Sequence, residues 1–100
     1  MKYLIFALAF SASAWADEPS QERQQELRNK LEHDCGSCHG LTLKGGLGPS
    51  LLPEALANKT DDFLVQTILK GRAGTAMPPW EAFITEKEAL WLVQKLLKKK

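Results

Sequence analysis

Cys35-Gly36-Ser37-Cys38-His39 holds the residues whose types and spacing point most directly to chemistry. Side chains three apart share one side of a helical turn, so both sulfurs can form thioethers to the vinyl groups of one porphyrin. His39 follows the second sulfur directly and would stand under the iron as proximal ligand. The pattern C-x-x-C-H reads as attachment of haem c through Cys35 and Cys38. Other readings of the same residues carry less. A disulfide between Cys35 and Cys38 would close too small a loop to stabilise much. Thioredoxin-like exchange needs a βαβ frame, for which there is no strand signal. Zinc held by His33, Cys35, Cys38 and His39 would draw every ligand from one short segment, whereas structural zinc sites join separated pairs. His33 itself reads as a solvated histidine near a helix end, too close to Cys35 to reach the opposite face of a haem.

A second stretch, Gly74-Thr75-Ala76-Met77-Pro78-Pro79-Trp80, presents the only methionine other than Met1. A thioether can simply fill a gap in a core. Here, though, two prolines follow it, hold the chain extended and forbid a helix. A methionine presented by a rigid loop suits the distal iron ligand, so Met77 is expected to pair with His39. An iron held from both sides has no open position for substrate, and its chemistry is one-electron exchange. No enzymatic activity is expected. A peroxidase or gas-binding protein would need an open distal site.

Three main helices and a short turn must position these groups, which makes the fold all-α. Ser20 is a candidate N-cap for a helix from Gln21 to Asp34, with Leu27 and Leu31 as its thin apolar stripe. Gly40 to Pro53 is rich in glycine and proline and reads as loop. Leu47, Leu51 and Leu52 are expected to wall the haem, with a helical turn from Pro53 to Asn58. Thr60 or Asp61 caps the next helix, whose apolar face is Phe63, Leu64, Val65, Ile68 and Leu69 and which stops at Gly71. Thr85 and Glu88 form a capping box. It opens a last helix to about Leu97, with Ala89, Leu90, Leu92, Val93, Leu96 and Leu97 as its buried side. Trp91 is expected at the margin of that face or against the first helix.

The 100-residue chain begins with Lys2, an apolar run from Tyr3 to Phe10, and Ala14-Trp15-Ala16. This is the pattern of a secretory leader cut after Ala16. The apolar run is shorter than the roughly 20 residues of a membrane span. The expected organisation is a cleaved signal peptide, 1–16, and one haem domain, 17–100, destined for the periplasm. Lys2 is the only cation in the leader. The remainder keeps 12 of the 13 basic residues against 12 acidic ones, and no nucleic-acid partner is indicated. A domain this small needs a staple beyond its own core, which a covalent haem supplies. The expected state is a monomer. Lys44, Lys59, Lys70 and Arg72 are candidates for steering a redox partner.

With C-x-x-C-H near the start and Met-Pro toward the end, the chain resembles the class I monohaem cytochromes c over Gln21 to Leu97. Cytochromes c′, in contrast, place the haem motif near the C-terminus and leave the distal site open. The resemblance implies a cytochrome c-like fold in which the Pro49 carbonyl accepts a hydrogen bond from the His39 ring. It also implies crossed first and last helices, with Leu27 and Leu31 toward Leu90, Val93 and Leu97. Cys35 to Gly40, Leu47-Gly48-Pro49 and Ala76 to Trp80 further resemble the small periplasmic cytochromes associated with haem-d nitrite reductases. That likeness implies redox protein partners and a carrier donating electrons to a nitrite reductase or another acceptor. The alternative it implies is a redox helper in making that enzyme's special haem.

Overall fold

The computed structural model describes residues 18–98, and within them all regular structure is helical. The expected leader lies outside the described residues. Helix α1 (Gln21–Lys30) starts where Ser20 Oγ accepts the Arg23 N–H at 3.1 Å, satisfying one of the orphan donors of a helix start. Its helical course does not end at Asp34. It widens into a π-helical turn (Leu31–Cys35), in which the Gly36 N–H reaches back to the Leu31 carbonyl, and continues as α2 (Gly36–His39). Gly40, at φ 93°, ends it. Such wide turns cluster at functional sites, and this one delivers Cys35.

After the loop comes the short α3 (Pro53–Leu56), with proline in its first turn. Helix α4 (Asp61–Lys70) is capped by Thr60, whose hydroxyl accepts the Phe63 N–H at 3.0 Å. Helix α5 (Glu86–Leu96) opens with the reciprocal capping box of Thr85 and Glu88.

Helix α5 is the middle of the molecule. Ala89, Leu92, Val93 and Leu96 recur at the helical spacing, and the first three are buried with Leu64, Val65 and Leu69 of α4 in one cluster. Its opposite flank is covered by α1. There Trp91 is buried, with the Arg28 guanidinium 5.5 Å from its ring centroid. Leu27 is fully buried in the shared cluster, with Leu31 and Leu97 packed against it. Trp91 thus takes the second of its two expected places, against the first helix, while Leu90, expected on the buried side, is 37 % exposed.

Arg23 ties the helices further. Its guanidinium donates twice to Glu88, at 2.9 and 3.1 Å, and also to Glu26 and the Phe83 carbonyl. The bidentate bond holds the Glu88 carboxyl below its usual range.

Candidate haem site

Cys35 ends the π-helical turn, and Cys38 and His39 lie on α2. Both cysteines are free thiols, half-buried. Burial, with some help from Asp34, pushes the Cys35 thiol above its ordinary value. Ser37 Oγ bonds back to the Asp34 carbonyl at 2.8 Å, which braces the turn between the sulfurs. Among the described residues no three His, Cys, Asp or Glu side chains group as a metal cage, and His33 is exposed.

The loop from Gly40 to Pro53 folds back over the motif because the last carbonyls of α2 need donors. The Gly48 N–H reaches the Cys38 carbonyl at 2.7 Å, and the Gly45 N–H reaches that of His39 at 2.8 Å. This return brings Pro49 to the histidine. His39 Nδ1 lies 2.7 Å from the Pro49 carbonyl oxygen. A carbonyl only accepts, so Nδ1 carries the hydrogen and Nε2 keeps its lone pair for a metal. The ring rests on Gly48, where a Cβ would stand 2.8 Å from Cε1 and 2.9 Å from Nδ1. Sequence reasoning placed Gly48 in a glycine- and proline-rich loop and in the Leu47-Gly48-Pro49 motif of the resemblance, without a contact to the ring. The tight contact arises from how the loop closes, which no local signal records.

Met77 sits in the connection between α4 and α5, half-buried, with its backbone bonded at both ends. Its N–H donates to Thr75 Oγ1 at 3.2 Å, and its carbonyl accepts from the Arg72 N–H at 3.1 Å.

These residues fit a haem. The donor set is two free thiols, an imidazole with one nitrogen already committed, and a thioether on a separate loop. Apolar side chains adjoin it. Leu47, next to Gly48, is 84 % exposed, and Leu41, beside Gly36, is 76 % exposed. Large apolar side chains this uncovered mark a surface built to meet something. Leu47 and Phe63 are exposed and lie outside the protein core, whereas Leu51 packs on the core. Of the cations considered for steering, Lys70 is bonded to Glu81 at 2.9 Å and Lys59 lies over the Phe63 ring.

Residues 22–94 match the family described as cytochrome C oxidase, cbb3-type, subunit III. The chain is 51 % identical over 98 residues to cytochrome c55X of Pseudomonas aeruginosa, covering 95 % of this chain and 82 % of that one. Among solved structures it is similar to a c-type cytochrome, NirC, with 52 % identity and a TM-score of 0.78 over 80 % of this chain and 94 % of that one. It is also similar, at 32 % identity and a TM-score of 0.66, to part of dihydro-heme d1 dehydrogenase NirN in complex with DHE. That match covers 73 % of this chain and 16 % of the other. With every regular element among its described residues helical and a match along most of its length, the chain belongs to the monohaem c-type cytochromes, electron carriers that bind haem c covalently.

Proposed function

We propose that the protein is a periplasmic one-electron carrier whose haem is attached through Cys35 and Cys38 and ligated by His39 and Met77. The observation that carries this reading is the His39 ring, seated on Gly48 and bonded through Nδ1 to Pro49. A ring so held presents one nitrogen in one orientation, which is what a permanent iron ligand needs. The bound haem supplies exchange of one electron at its iron. Around it, the chain's own residues fix the ring, present the thioether from a tied loop and supply apolar cover. Thioether ligation and exclusion of water both favour the reduced iron. Residues 1–16 act as the leader, and Asp17 becomes the first residue of the exported protein.

The haem-loaded protein should show the absorption of methionine ligation in its oxidised form. Met77→Ala should abolish it and leave a covalently attached haem. An unchanged spectrum in that variant would remove Met77 from the iron.

For the direction of electron flow, the carrier donates to a nitrite reductase or another terminal acceptor. A second reading is supported by the likeness to part of a dihydro-heme d1 dehydrogenase. On that reading the carrier accepts electrons released while a special haem is made. A deletion strain separates the two. Loss of the special haem speaks for the second, and an intact but electron-starved reductase speaks for the first.

A further inference from the structure

The loop that carries Met77 is fastened to the end of α4 at more points than a connection between helices requires. Gly71 follows α4 at φ 70° and returns its own N–H to Thr67. Arg72 N–H donates to the carbonyl of Met77 at 3.1 Å. Thr75 braces the inside of this turn. Its hydroxyl donates to the Arg72 carbonyl at 2.7 Å and accepts the Met77 N–H at 3.2 Å. Beyond the methionine, Trp80 and Glu81 N–H groups reach the carbonyls of Ile68 and Leu69. Those are among the last carbonyls of α4, which no helix can satisfy within itself. The loop is therefore the cap of α4.

This closure brings the backbone of Met77 to Pro79 onto Gly71. A Cβ at Gly71 would stand 2.7 Å from the Met77 carbonyl oxygen, 2.8 Å from the Pro78 carbonyl carbon and 2.8 Å from the Pro79 nitrogen. All three are backbone atoms, stiffened by two prolines, so no side-chain rotation relieves the clash. Gly74, in the same loop, offers the contrast. It has φ 80°, and a Cβ there would meet nothing within 4 Å.

The geometry points to Gly71 as a positioning residue for Met77. Its lack of a side chain lets the methionine backbone close onto α4, and the Thr75 strut holds it there. The inference rests on the reading of Met77 as distal ligand and deepens it by naming what keeps the ligand in place. A thioether is a weak donor without charge, so its bond depends on being held at the right distance. A supporting shell left about 1 Å loose is enough to spoil a site. Holding Met77 is also what keeps the protein a carrier, because a freed methionine would open the iron to small ligands.

The test uses the haem-loaded full chain as Gly71→Ala, Gly74→Ala, Thr75→Val and Met77→Ala. Both glycine variants carry the backbone penalty of a side chain at positive φ, but only Gly71→Ala meets the methionine backbone. The expected result is loss of the methionine-to-iron absorption in Gly71→Ala and its retention in Gly74→Ala. Apparent carbon monoxide affinity of the reduced protein should rise about tenfold or more in Gly71→Ala alone of the two, since it scales with the fraction of molecules with an open distal position. A purely structural glycine would lower the melting temperature in both without separating these readouts. Equal behaviour of the two glycine variants overturns the inference. If Gly71→Ala does not accumulate with haem, Thr75→Val decides. It should bind carbon monoxide more tightly than Gly74→Ala, and an unchanged affinity overturns the inference. Met77→Ala separates the levels. Retained absorption there means that the ligand reading has failed and the inference with it, whereas its loss beside an unaltered Gly71→Ala refutes the inference alone.

Discussion

His39 has one ring nitrogen committed to Pro49 at 2.7 Å, and the commitment decides the tautomer. Hydrogen on Nδ1 leaves the Nε2 lone pair for a metal, and the carbonyl partner fixes the orientation of the ring. Gly48 is what permits the ring to lie there, since a Cβ would come within 2.8 Å of it. Gly48→Ala should therefore displace the ring and cost about 1–3 kcal/mol through overpacking. It should lower the yield of haem-loaded protein and alter the reduction potential. Gly36→Ala is the control, because its nearest neighbour, the Leu31 carbonyl, is at an ordinary 3.5 Å. Equal yields and potentials for the two would remove Gly48 from the account. At this scale the reactive types were readable in the sequence: two sulfurs, an imidazole and a methionine with their spacings. The glycines beneath them were not, because each close approach is made by chain that returns from elsewhere.

Among the elements, α1 and α5 depend on one another. Leu27 is fully buried between them and the α4 cluster, so Leu27→Ala should destabilise the protein by about 2–5 kcal/mol in denaturant unfolding. The Arg23–Glu88 pair adds a pH dependence. The bidentate bond lowers the folded pKa of Glu88 beneath its ordinary 4.5. Its contribution is thus complete above about pH 4.5 and is lost as the pH falls through the lowered folded value. The pair is partly exposed, so about 1 kcal/mol is at stake. The melting temperature of the wild type should fall more steeply below pH 4.5 than that of Glu88→Gln, and parallel curves would contradict the pair's role. The caps of these helices were legible, since Ser20, Thr60 and the Thr85–Glu88 box each carry a side-chain signature. The π-helical turn at Leu31–Cys35 was not. It is a shift of one backbone hydrogen bond with no residue type of its own. Leu90 lies further out than expected because a periodicity reading assigns one buried face, whereas α5 also buries Trp91 on its other flank, against α1.

Without the proposed leader and its Lys2, the molecule balances 12 basic residues against 12 acidic ones, and among its surface cations Lys70 is already paired with Glu81. Long-range steering has little to work with. Electron exchange with a protein partner should fall by less than about tenfold between low salt and 0.15 M, whereas strongly steered pairs lose far more. A steep fall in stopped-flow rates would mean a local charge patch outweighs the balanced total. A core this small is completed by the group it holds, so the account stands or falls with a covalent haem on the two cysteines. Intact mass of the exported protein under denaturing conditions tests that most directly. The expected value is one chain plus one haem, with no thiol left to alkylate. A chain of haem-free mass, with two reactive thiols, would contradict it.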